Sequence, residues 1–191
     1  MITIKTSALK AAMICSAQKD MRTYLNTVMF RVTEVGNVYI AGCDGHRLFL
    51  GKLDADWTDI PQKGPFDILI PFSAVKTALQ GKKANSLTLS AMPDGRYCLG
   101  DTIFTPTDGK YPDVNRVIPD YPLSGEVAQF NIEYLADAQK ALRIWTGNEK
   151  AYYAVQHNGP SSGVLACETA FVVVMCLSGH ATEANPTFKS I

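Results

Sequence analysis

The sequence predicts an α+β fold built from repeated β-α-β-β-β units. Three observations predict it. First, Ile2-Thr3-Ile4-Lys5-Thr6-Ser7-Ala8-Leu9-Lys10-Ala11-Ala12-Met13 aligns with Ile68-Leu69-Ile70-Pro71-Phe72-Ser73-Ala74-Val75-Lys76-Thr77-Ala78-Leu79. Each copy reads as a short strand, a Ser N-cap and a helix with apolar residues at helical spacing. Second, the stretches after each helix are broken by Asp-Gly and Gly-Asp turns, the signature of antiparallel hairpins. Third, strands outnumber helices.

The elements follow in order. After the first helix, Val28-Met29-Phe30-Arg31-Val32 is a strand. Val38-Tyr39-Ile40 then runs into a hairpin and Leu48-Phe49-Leu50 runs out. Asp44-Gly45 supplies residues that tolerate positive φ at its turn. The polar, Pro/Gly-punctuated stretch 54–65 reads as a connector. Unit two places strands at Ser86-Leu87-Thr88-Leu89-Ser90, Tyr97-Cys98-Leu99 and Thr102-Ile103-Phe104-Thr105. Its turns are Pro93-Asp94-Gly95 and Gly100-Asp101. A second connector at 119–125 sets the domain boundary, giving 1–120 and 121–177. The third copy is looser. Phe130-Asn131-Ile132-Glu133-Tyr134-Leu135 leads into Ala138-Gln139-Lys140-Ala141-Leu142, and strands follow at Tyr152 to Gln156, Gly163 to Ala166 and Phe171 to Leu177. Residues 178–191 lack hydrophobic periodicity and are expected to form a mobile tail.

Composition narrows the function. The 191 residues are 47% hydrophobic and 19% charged, as in a globular chain. The 18 basic and 18 acidic residues cancel, so any grip on phosphates must come from local segregation of charge. No apolar run approaches the roughly 20 residues of a membrane span. The start, Met1-Ile2-Thr3-Ile4-Lys5, lacks the pattern of a signal peptide, and a cytoplasmic location is expected. The cysteines Cys15, Cys43, Cys98, Cys167 and Cys176 have no CxxC spacing and read as free thiols rather than a disulfide framework or a metal site. His46, His157 and His180 are isolated, and there is no GxSxG, P-loop or GxGxxG. Asp94-Gly95 and Asp108-Gly109 are turns. The chain reads as a binding protein without a cofactor, not an enzyme.

Three ordered segments carry the strongest functional signal. They are Asp20-Met21-Arg22-Thr23-Tyr24-Leu25-Asn26, Cys43-Asp44-Gly45-His46-Arg47-Leu48 and Tyr111-Pro112-Asp113-Val114-Asn115-Arg116-Val117-Ile118-Pro119. Together they resemble the bacterial DNA polymerase III β sliding clamp family, rings that tether the replicative polymerase to DNA. Residues 1–120 resemble the middle clamp domain. Residues from about 128 to 177 resemble the final half of the last one. The chain is then a reduced, phage- or plasmid-like clamp with three half-domains where the bacterial protein has six.

The resemblance implies a DNA-clamp fold with antiparallel sheets outside and helices on one face, lining a hole. It implies a processivity factor that encircles double-stranded DNA without regard to sequence. Closing such a ring with three-unit chains takes four copies by arithmetic, so a homo-oligomer, possibly a tetramer, is expected. It also implies a hydrophobic pocket for the clamp-binding peptides of a polymerase or other partner, of the Gln-x-x-Leu-x-Phe type. The matching positions are Leu25, Gly45, His46, Arg47, Leu48, Pro112, Arg116 and Val117. Cys43 stands where the family usually has Thr. Pro160, Ser162, Val172 and Val174 match the opposing wall, where a one-residue slip would exchange the two faces. Leu25, Leu48 and Val117 also suit a core. For DNA the candidates are Lys10, Lys19, Arg22, Lys76, Lys82, Lys83, Lys140, Arg143 and Lys150, on or beside the helices. The alternative function is a clamp mimic or decoy that sequesters clamp partners without encircling DNA.

Overall fold

A computed structural model describes residues 1–55, 65–81, 84–116, 128–157 and 161–177. The connector at 56–64, Lys82, Lys83, Val117, the boundary at 119–125, Pro160 and the tail 178–191 lie outside them.

Unit one comprises β1 (Ile2–Lys5), α1 (Thr6–Cys15), β2 (Thr27–Val32), β3 (Val38–Cys43) and β4 (Arg47–Leu53). Unit two repeats it with β5 (Phe66–Pro71), α2 (Phe72–Leu79), β6 (Ser86–Ala91), β7 (Tyr97–Leu99) and β8 (Thr102–Phe104). Unit three contributes α3 (Ile132–Thr146), β9 (Gln156–His157), β10 (Ser162–Cys167) and β11 (Ala170–Met175). The expected strand over 152–156 shortens to its end, and the expected lead-in strand of unit three is irregular chain, tied down where Leu177 N–H donates to Gln129 O at 2.9 Å.

The Ser N-caps are corrected. Both helices start before the serine, with Lys5 and Pro71 at the cap positions and no side-chain cap bond, because each strand runs directly into its helix. α3 is capped conventionally: the Asn131 side chain accepts from Glu133 N–H, and Gly147 ends the helix at φ 69°.

The units are not self-contained. β1 pairs with β6, and β5 pairs with β2, so units one and two exchange their first strands. This gives a four-stranded sheet, β1-β6-β7-β8, and a seven-stranded sheet, β5-β2-β3-β4-β11-β10-β9. β11 pairs antiparallel with β4, so unit three continues the sheet of unit one. Neither of the first two units has a complete sheet alone, and the two must fold together.

Side-chain alternation divides the seven-stranded sheet into two faces. On the inner face Val28, Phe30, Ile40, Phe49, Ile70, Val172 and Val174 form one core with all three helices and the smaller sheet. α1 approaches so closely that a Cβ on Gly42 of β3 would lie 1.9 Å from Ala12 O. The Ser16 hydroxyl fills the remaining polar need, donating to that same carbonyl at 3.1 Å. α3 lays Trp145 over Gly51 of β4 in the same way, its ring 5.5 Å from that of Phe49. The outer face carries a second cluster, described next.

Candidate functional site

The outer face of the large sheet gathers the three sequence motifs. Leu25 comes from a 3-10 turn (Thr23–Leu25), Cys43 and Leu48 from the β3–β4 hairpin, and Tyr111 and Val114 from the 111–116 segment. Met29, Ala41, Leu69, Val164 and Val173 complete the cluster. The segments are held by specific bonds. Ala17 N–H donates to both Leu25 O and Cys43 O, at 3.2 and 3.3 Å. Asn26 folds back on Asp20, donating from its amide to Asp20 O and accepting from Asp20 N–H at 2.8 Å each.

The hairpin turn explains itself locally. Asp44 Oδ1 accepts from His46 and Arg47 N–H at 2.9 and 3.0 Å, an Asx-type turn. Gly45 sits at φ 91°, where a side chain would be strained and would also meet the Arg22 guanidinium at 2.9 Å.

Between Cys43, Gly45, Arg47, Leu48, Val173 and Met175 lies a crevice of about 40 Å³. That holds little more than one water, far below the roughly 300–1,000 Å³ of small-molecule sites. The expected open apolar cleft is therefore corrected. Leu25 and Leu48 are 1% and 3% exposed and already packed in the outer-face cluster, with Leu48 alone of the two lining the crevice. Val172 and Val174 are corrected as well: they point to the helix-bearing face and are wholly buried there. Val173, opposite Leu48, takes the role assigned to them, and Ser162, opposite Met175, lies on Val173's side. A single-residue slip in a continuous apolar run is the cause.

Arg47 also turns inward. Its Nε bonds Asp44 Oδ2 at 2.9 Å, its Nη1 bonds Asp137 of α3, and its guanidinium lies 4.8 Å over the Tyr134 ring. Burial opposes the charge, but hydrogen bonding to Asp137 and the nearby Asp44 outweigh it, so the guanidinium is held protonated more firmly than usual. Exposed His46 stacks on the same Tyr134, and its carbonyl accepts from Met175 N–H at 2.8 Å. Arg47 and His46 thus lock the hairpin to unit three.

Pro112 and Arg116 edge a different, roomier groove of about 450 Å³ with Lys110 and the Arg31–Asp67 ion pair. Arg116 is 86% exposed, with Asp113 3.5 Å away. Tyr111 joins this groove to the cluster. Its hydroxyl is buried with no hydrogen-bond partner among the described residues, and burial pushes its pKa well up. Tyr111, Val164, Val173 and Met175 were not among the site residues expected from sequence. Tyr111 stood inside the third motif and could have been found there.

The helices carry the second candidate surface. α1 and α2 contain no acidic residue, and Lys10 and Lys76, equivalent in the repeat, are both exposed. Lys140 is exposed on α3, and Lys19 lies in the segment after α1. Arg22 lies beside the hairpin rather than on a helix: Asp20 binds it at 2.9 Å, and that bond holds the Asp20 carboxyl down to about 2. Arg143 is engaged by Ala151 O at 2.7 Å and by the Tyr152 ring.

No protein-family model matches the chain. The beta sliding clamp of Proteus mirabilis is 30% identical over 143 residues, which is 70% of this chain and 36% of the relative. The chain therefore spans about a third of that relative's length. The solved DNA polymerase sliding clamp of Bacillus subtilis superposes with a TM-score of 0.69 at 17% identity, over 94% of this chain and 64% of that one. The Helicobacter pylori beta clamp, solved bound to a DNA ligase peptide, gives 0.62 at 13% identity, over 93% and 65%. At those identities the two structures establish the shared fold.

Proposed function

We propose that this chain, which belongs to the β sliding clamp family, is the subunit of a ring that encircles double-stranded DNA and acts as a polymerase processivity factor. The ring is a homo-oligomer, with four copies following from three units per chain. The observation that carries the reading is convergence: three motifs spread over about a hundred residues meet in one outer-face cluster. Lys10, Lys76 and Lys140, with Lys19, supply sequence-independent contacts to phosphate from the helix side. Partner peptides dock on the outer face, between the hairpin and unit three.

The small crevice must widen to admit a Leu or Phe side chain. Met175 is the movable wall: it is 39% exposed, unbranched and at the end of β11. A Gln-x-x-Leu-x-Phe peptide is expected to bind the wild type in calorimetry. Met175→Glu is expected to weaken binding at least tenfold while leaving the melting curve in place. Equal affinity in both proteins contradicts the docking site.

A further inference from the structure

We infer that unit three is an interaction surface for a second copy of this chain, with two unit threes exchanging contacts about a two-fold axis as units one and two do within the chain. The exchange inside the chain carries the argument. β1 of unit one pairs with β6 of unit two, and β5 of unit two pairs with β2 of unit one. The helix starts are tied across in the same way. Thr6 N–H donates to Asn85 O and Phe72 N–H donates to Asn26 O, both at 2.9 Å. Asn85 and Asn26 each directly precede the second strand of the other unit.

Unit three has the same parts without that partner among the described residues. Its lead-in at 128–131 forms no strand, and its second strand is β9, two residues long. Phe130, two residues before α3, is half-buried where its counterparts Ile4 and Ile70 are wholly buried. Leu135, fourth in α3, is half-buried where Leu9 and Val75, fourth in α1 and α2, are wholly buried. The first helix residue differs most. Thr6 and Phe72 are half-buried, and Ile132 is 79% exposed. Its N–H makes no cross-unit bond among the described residues.

The complementary surface is open too. In the repeat, the first residue of a helix sits beside the start of the other unit's second strand. In unit three that extended segment starts at Tyr152, which is 87% exposed, with the Arg143 guanidinium over its ring. Gln139 of α3 holds both backbone groups of Tyr153. Those of Tyr152 and Ala154 make no hydrogen bond among the described residues. The exchange sets Ile132 of each copy against Tyr152 of the other, covering the two most exposed large apolar side chains of unit three among the described residues.

A second copy fits this surface for two reasons. The first strands of units one and two are already taken by each other, so neither unit is free to serve the third. A second copy brings an identical unpaired unit, and an exchange between identical units is isologous and closes at two. Two copies then hold their units in three exchanged pairs. The inference goes beyond the ring reading and needs neither DNA nor a partner peptide.

The test combines a crosslink with a mass. Ile132→Cys and Tyr152→Cys are made in one chain and oxidised mildly. A covalent dimer linked 132 to 152 between chains is expected by mass spectrometry, and neither single variant is expected to give that linkage. In sedimentation the wild type is expected at an even multiple of the chain mass. Ile132→Lys with Tyr152→Lys is expected to halve it, with the far-ultraviolet circular dichroism unchanged because both positions are exposed. A wild-type monomer at micromolar concentration overturns the inference. So does an unchanged mass in the double-lysine variant, or a 132–152 linkage that forms only within one chain. Failure of the crosslinked dimer to stay on DNA counts against the clamp reading and leaves this contact standing.

Discussion

Leu48→Lys is expected to destabilise the fold by several kcal/mol, a large part of the roughly 5–15 kcal/mol that holds a domain of this kind together. Leu48 is 3% exposed in a cluster of Leu25, Cys43, Tyr111, Val114 and Val173. An ammonium placed there meets no carboxylate within the cluster, and an unpaired buried charge is among the costliest substitutions. The equivalent change in unit two, Ile103→Lys, falls on a half-exposed position and is expected to leave the stability of the single chain within about 0.5 kcal/mol. Urea unfolding of both variants makes the comparison. Equal stability in the two shows that Leu48 lines an open cleft after all.

Gly42→Ala is expected to cost about 4 kcal/mol or more. The added methyl group would sit 1.9 Å from Ala12 O and 2.6 Å from the Ser16 hydroxyl. The backbone of α1 must move off β3 to make room, and that loosens Leu9, Ala12 and Cys15 in the inner core. Gly95→Ala is the control. Unlike Gly42, Gly95 is a positive-φ glycine, at 82°, and its new Cβ meets nothing within 4 Å, so about 1 kcal/mol is expected from backbone strain alone. Thermal melting of the two variants separates packing from strain. A Gly42→Ala melting temperature no lower than that of Gly95→Ala contradicts the close approach of α1 to the sheet.

What could be read from sequence was local. The Asp44-Gly45 hairpin and the strand-to-helix repeat at 2–13 and 68–79 depend on neighbouring residues, and both are present. The exchange of β1 and β5 between units was not legible, because no local signal fixes which sheet a short strand joins. Phe171 to Met175 is apolar throughout, since β11 is central and flanked by β4 and β10. A run without alternation does not reveal its faces, which is why Val172 and Val174 were expected where Val173 lies. Arg47 read as a pocket position, and its tie to unit three was not legible, because its partner, Asp137, is 90 residues away. Arg22 read as a helix-side cation, although Asp20, two residues before it, is a local partner that sequence could have suggested.

The clamp reading is tested most directly on closed DNA. The protein is mixed at micromolar concentration with a circular duplex and with the same duplex linearised, and bound protein is measured through a salt wash. Encirclement predicts retention on the circle and loss from the linear form, because a ring slides off a free end. Replacing Lys10, Lys76 and Lys140 with Ala is expected to make the salt dependence of initial binding shallower, by about 0.9 in logarithmic slope for each phosphate contact removed. Equal loss from circular and linear DNA contradicts encirclement, and with it the proposal that this chain works as a sliding clamp.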